Sequence, residues 1–219
     1  MRFRFSLFFI LFLSLAFLPL FATQGCIEGN EDVKNYNRKI GNFKHIQTDG
    51  VYEVFVVFSS SPKLKIEVES NIEKNVESKV EKETLFITSK GSICPKKDIK
   101  IYIEATSLES VKEHGSSTIN VSGLKEKNFS AFIDGASSFF VNGKAQEFKL
   151  VANGSSQVDA KLLETQKTTV QVSGTADIKV YATDSLDVLV DGVANITYFG
   201  NPKSLKRAGN GILDISSGN

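Results

Sequence analysis

Histidine and cysteine are scarce in this chain, with two of each in 219 residues. Neither His45 nor His114 shows the neighbouring serine and acid of a nucleophilic triad, so both read as strand or corner residues. Helical periodicity is nearly absent. Only residues 71–80, with Ile72, Val76 and Val80 at i, i+4 and i+8, predict a short helix or turn. No basic stripe with interleaved aromatics occurs, which argues against nucleic acid as a partner. The leucine ladder with a fixed asparagine or cysteine is missing, and so is the calcium-binding nonapeptide. The outward acids Asp134, Asp159, Asp177, Asp191 and Asp214 are spread singly over successive repeats. Asp134 and Asp191 are accounted for as turn residues, and neither a metal site nor a cofactor is expected.

What the chain does have is a repeat. Gly115, Gly135, Gly154, Gly174, Gly192 and Gly209 recur at intervals of 20, 19, 20, 18 and 17 residues. Four residues after each glycine stands an apolar residue: Ile119, Phe139, Val158, Ile178, Ile196 and Leu213. Two residues further lie Val121, Val141, Ala160, Val180, Tyr198 and Ile215, the spacing of a strand with one buried face. A second strand precedes each following glycine, with Ala131, Leu150, Val170 and Val188 in one row and Ile133, Ala152, Val172 and Val190 in the next. Like residues at a fixed place in a period near 20 predict an all-β solenoid, a parallel β-helix. Each coil of about 18–20 residues would hold two short strands and advance about 4.8 Å. The glycines occupy the tight corner between the strands, as in Asp134-Gly135, Asn153-Gly154 and Asp191-Gly192. The second corner varies in length and composition. The regular coils begin near residue 115, within a single domain spanning residues 43–219, and Ser216-Ser217-Gly218-Asn219 is the only polar cap at its end.

The first 22 residues read as a secretory signal: Arg2 and Arg4, an apolar run from Leu7 to Leu18, and a small-residue cleavage point at Phe21-Ala22. Residues 23–42 form an N-terminal segment. Removing the signal takes two of the 26 basic residues and none of the 25 acids, leaving a formal charge of −1. For Cys26 and Cys94 two readings stand open. An exported chain permits a disulfide across 68 residues. Alternatively, Thr23-Gln24-Gly25-Cys26 is a loose lipidation signal, which would attach the chain to a membrane.

Some outward positions are apolar where polar residues are expected. The row three before each next glycine reads Phe132, Val151, Gln171, Leu189 and Lys206. Phe132, Val151 and Leu189 would form an apolar stripe, a candidate contact surface for a ligand or for a second copy in a homo-oligomer. Phe140 and Tyr181 are candidate sugar-stacking residues.

Several segments, in order, resemble the bacterial "putative auto-transporter adhesin, head GIN domain" family. They are Cys26-Ile27-Glu28-Gly29-Asn30, Arg38-Lys39-Ile40, Phe43 with Ile46, Asn71-Ile72 through Thr84-Leu85-Phe86-Ile87, residues 98–103, and Tyr198-Phe199-Gly200-Asn201-Pro202. The resemblance implies a right-handed parallel β-helix, a bacterial envelope location (periplasm, outer membrane or cell surface) and an adhesion role toward an unknown glycan or surface protein. It brings no catalytic residues. Some relatives carry a separate lipidation cysteine ahead of the one matched by Cys26, and its absence here favours the disulfide. The expected function is therefore an exported, non-enzymatic binding module. The alternatives are a self-associating structural envelope protein and a carbohydrate-active β-helix enzyme.

Overall fold

The computed structural model describes residues 25–218; the expected signal peptide lies outside the described residues. Alternating apolar residues dictate an all-β structure. Apart from one short 3₁₀ turn at Glu73–Asn75 and the two-stranded pair Ile27–Glu28 with Ile93–Cys94, the strands join one 15-stranded sheet that folds over its own core.

Two faces enclose that core. On one, the strands Lys100–Ala105 and Glu53–Phe58 pair in parallel, and residues 118–121 lie on Glu53–Phe58 in the same sense. The face continues through residues 136–140, 155–159, 175–181, 193–199 and 212–217, each parallel to the last. On the other, Thr84–Ser89, His45–Gly50 and Ser110–Gly115 pair in parallel, followed by residues 130–135. Residues 147–152, 167–172, 185–190 and 204–208 complete it. Alternate side chains point inward and are almost wholly buried: Ile119, Val121, Phe139, Val158, Ile178 and Ile196 on the first face, Ala131, Leu150, Val170 and Val188 on the second. Phe129 stacks on Phe148 with ring centroids 5.8 Å apart and planes 13° apart, a pairing worth about 0.5–1.5 kcal/mol beyond burial.

The corner between the faces admits only glycine, because each chain passes against the one beneath. A Cβ built on Gly154 would overlap the carbonyl oxygen of Gly135, and one on Gly174 that of Gly154. The column begins earlier than the repeat indicates, since Gly115 lies on Gly50. It also ends differently. Val193 pairs with Ile212, so Gly211 stacks on Gly192, while Gly209 lies against Val190 on the second face. This corrects the phase of the last coil by two residues: Ile215, not Leu213, continues the row of Ile196, and Ala208, not Lys206, follows Leu189. Two glycines, Gly209 and Gly211, stand within three residues here, and the sequence alone does not show which of them fills the corner.

The start of the stack is closed by antiparallel strands. Lys63–Glu69 and then Val33–Arg38 pair onto the edge of one face, and Val76–Glu81 onto the edge of the other. The helical reading of residues 71–80 therefore holds only for a single turn. Ile72 and Val76 are buried, but from Val76 onward the chain is an edge strand paired to Thr84–Ser89, and tertiary pairing overrides the i, i+4 pattern. Among the described residues no antiparallel strand pairs onto the other end, and Leu205, Leu213 and Ile215 are partly exposed there.

Cys26 and Cys94 form a disulfide with Cα atoms 5.5 Å apart, so neither thiol is free. Beside it, the buried Glu69 carboxylate accepts hydrogen bonds from the backbone N–H of Glu31 (2.6 Å), Lys96 (2.9 Å) and Lys97 (3.4 Å). The N-terminal segment is thereby fastened to the stack at two points.

Candidate ligand-binding groove

The looser second corner shapes a cleft of about 460 Å³, lined by residues from four successive repeats. Its origin is a change in coil length. Asp159 pairs with Lys179, an offset of 20, whereas Lys167 pairs with Ser185, an offset of 18. Two residues are thus lost between Tyr181 and Ser185, the chain cuts the corner short, and Tyr181 is left half-buried on the resulting step.

The step is held firmly. The Thr165 and Thr168 hydroxyls lie 2.7 Å apart and both donate to the carbonyl of Tyr181, the Thr168 bond at 2.8 Å. Gly200, with φ of 90°, lies against the Tyr181 ring, where a Cβ would fall 2.7 Å from Cε1. The anchored carbonyl and the close approach of Gly200 together restrict where the phenol ring can lie.

Above Tyr181 the corner residues line up in two rows. Gly143 lies on Leu124, which sets Lys144 beside Lys125 and Gln146 beside Lys127. The next coil adds Glu164 beside Lys144, and Gln166 takes the place beside Gln146. One row is therefore Lys125, Lys144 and Glu164, and the other is Lys127, Gln146 and Gln166. Lys144 Nζ lies 2.8 Å from Glu164 Oε2, which raises the pKa of the lysine. Glu126 turns back and accepts a 2.9 Å bond from the Leu108 N–H. Lys125 and Lys127, both exposed, have no ion-pair partner among the described residues. The groove thus offers one aromatic ring, two side-chain amides and two ammonium groups that form no ion pair, together with the carboxylates of Glu126 and Glu164.

The sequence pattern of the family described as "Putative auto-transporter adhesin, head GIN domain" matches residues 42–202. The chain belongs to this family. A solved "putative adhesin" from Bacteroides fragilis NCTC 9343 has a similar fold, with a TM-score of 0.71 at 22% identity over 87% of this chain and 99% of that one. A "putative lipid binding protein" from Parabacteroides distasonis ATCC 8503 has a TM-score of 0.51 at 18% identity, over 89% of this chain and all of that one. No curated protein matches the chain.

The other candidate residues of this GIN-domain chain lie apart from the groove. Phe132, Val151 and Leu189 share one outward column, interrupted by Gln171 between Val151 and Leu189. Lys112 Nζ sits 5.6 Å from the Phe132 ring centroid, so part of that apolar surface is covered by an ammonium group. Phe140 lines a separate cleft of about 300 Å³ with Asn120, Asn142 and Asp159. On the same face Phe55 and Tyr102 stack 5.3 Å apart at 14°, with Lys65 Nζ 4.0 Å from the Tyr102 centroid. That arrangement occupies the Tyr102 ring on both faces and leaves little for a sugar. His45 Nδ1 lies 2.8 Å from Ser110 Oγ, and no carboxylate among the described residues is hydrogen-bonded to its other ring nitrogen. His114 faces Asp134 at 3.5 Å.

The sequence pattern singles out Tyr181 but not Lys125, Lys127, Gln146 or Gln166. Each looks like an ordinary solvated residue until pairing aligns the corners. The available signal was the two-residue shortening from Gly174 to Gly192 beside a tyrosine.

Among the described residues, no helix is long and apolar enough to cross a membrane. The disulfide places the chain in an oxidising setting, as for proteins outside the cytoplasm.

Proposed function

We propose that the chain is an exported, non-enzymatic binding module of the bacterial envelope, wound as a right-handed parallel β-helix, whose corner groove holds a glycan or a segment of a surface protein. The observation that supports this most is the groove itself, a tyrosine ring on an anchored backbone with Gly200 against one side, flanked by amide and ammonium groups across several repeats. Such a mixture orients a polar ligand without performing chemistry on it. Membership of an adhesin family agrees with this role, and by itself is an argument by analogy. The test is retention of the intact chain on an array of bacterial and host glycans, followed by mass analysis of the glycans that bind. Bound glycan recovered unchanged supports the proposal, and a cleaved product overturns it in favour of an enzyme.

One observation favours a second reading, self-association. The last coil leaves Leu205, Leu213 and Ile215 partly exposed, with Ile212 71% exposed beside them. Light scattering over a dilution series decides this: a mass that falls on dilution supports assembly through that end, and a constant monomer mass rejects it.

A further inference from the structure

Resting on the glycan-binding form of that reading, we infer that the groove at the second corner selects an acidic polysaccharide, with Lys125 and Lys127 engaging its anionic groups and Tyr181 stacking on a sugar ring. Three observations lead there.

The first is electrostatic. Lys125 and Lys144 occupy neighbouring strands at the same place in the repeat, so two lysine side chains share one row of the groove. Like charges so placed repel and are normally avoided. Glu164 neutralises Lys144 at 2.8 Å, but Lys125 and, one row over, Lys127 are left without a counter-charge. The Glu126 carboxylate between them lines the groove and keeps its charge, but it is drawn to the Leu108 N–H and forms an ion pair with neither lysine, so the lining carries three ammonium groups against two carboxylates. An anion arriving from solvent would supply the missing charge for both.

The second is chemical mixture. Charge alone would suit any polyanion, but the same groove holds Gln146, Gln166 and the ring of Tyr181. Amides pair with hydroxyl groups, which both donate and accept. An aromatic face packs against the C–H surface of a pyranose while leaving its hydroxyls to polar partners. A ligand with carboxylates, hydroxyls and apolar ring faces satisfies all three kinds of group.

The third is shape. The groove runs along the stack from the coil of Lys125 to that of Tyr181, three steps of about 4.8 Å. Side chains recur along it at nearly the spacing of successive sugars in an extended glycan. A linear chain of acidic sugars can therefore place more than one residue in register with the coils.

The test is calorimetric titration of the intact chain with polygalacturonate oligomers, with cello-oligosaccharides of equal length and with polyglutamate, at low and high salt. The expected result is binding of polygalacturonate in preference to the other two, weakening as salt screens the lysines. The exposed pair Lys125→Gln/Lys127→Gln should lose about tenfold or more in affinity. Tyr181→Phe, which keeps the ring and the fold, should bind nearly as the parent does, while Tyr181→Ala should lose affinity. Equal binding of the neutral oligomer, or full affinity in the lysine double variant, overturns the acidic selection while leaving glycan binding intact. Equal binding of polyglutamate, unaffected by Tyr181→Ala, overturns the sugar assignment. Binding of none of the three overturns this inference, and the wider reading then stands or falls with the glycan array.

Discussion

The buried carboxyl of Glu113 accepts a 2.5 Å hydrogen bond from the Ser137 hydroxyl one coil away, and its other oxygen has no partner. Glu113 is 0% exposed and stacks on Thr48, whose own hydroxyl is also unpaired. Burial raises its pKa above the ordinary 4.5, against the opposing hydrogen bond of Ser137. The folded state therefore holds its proton more tightly than the unfolded chain does. Stability from this group is complete below pH about 4.5, declines as pH rises from there through the raised folded value, and is level beyond it. Thermal melts across this range should show the decline in the parent and a flatter profile in Glu113→Gln. Identical profiles would show that Glu113 is not held neutral.

Glu69 should behave in the opposite sense. Burial pushes its pKa up, but three backbone N–H groups and the charge of Lys96 outweigh this and hold it below 4.5. Its contribution is present above the unfolded value and is lost as pH falls through the lowered folded one. Glu69→Gln keeps the shape but loses the charge and substitutes an N–H₂ group for one accepting oxygen. The expected cost is about 1–3 kcal/mol, with faster amide exchange at Glu31, Lys96 and Lys97. Unchanged exchange at those amides would show that the carboxylate does not fasten the segment.

The corner column yields a prediction of contrast. Gly154→Ala forces a methyl group onto the Gly135 carbonyl oxygen, which belongs to the backbone of a paired strand and cannot move aside. A loss of about 1–3 kcal/mol or more is expected, as for an overpacked core. Gly41→Ala meets nothing within 4 Å and should leave the melting temperature nearly unchanged. Equal effects from the two substitutions would mean that the close approach at Gly154 is not limiting.

Those glycines also show what the sequence makes readable. From Gly115 to Gly192 the column repeats at near-constant spacing, so the corner and the rows of Ile119, Phe139 and Val158 stand out. Gly50 belongs to the same column but escapes notice, because the antiparallel strands at Lys63–Glu69 and Val76–Glu81 intervene before Gly115. Gly211 lies two residues after another glycine, and no local feature shows which of the pair stacks. The groove was harder to read, since Lys125, Lys144 and Glu164 become neighbours only through sheet register across a corner of changing length. The same holds for His45 and Ser110, which are 65 residues apart. The disulfide was readable as one of two open choices, because pairing Cys26 with Cys94 depends on where the stack starts.

Reduction of that disulfide tests how the N-terminal segment is held. The bond closes a loop across 68 residues, for which chain entropy predicts a stabilisation of about 4 kcal/mol. The segment has independent fastenings: the Asn71 side-chain amide donates to the Glu28 carbonyl at 2.7 Å, the Asn30 N–H donates to Asn71 Oδ1 at 3.0 Å, and Glu69 accepts from Glu31. Cys26→Ser/Cys94→Ser should therefore lower the melting temperature while the coils from Gly115 onward keep their amide protection, because none of their pairing passes through the segment. If those coils lost protection along with the segment, the stack would be one cooperative unit nucleated at its disulfide-bonded end. If neither the melting temperature nor the segment's exchange changed, the Glu69 and Asn71 hydrogen bonds would be sufficient to hold it.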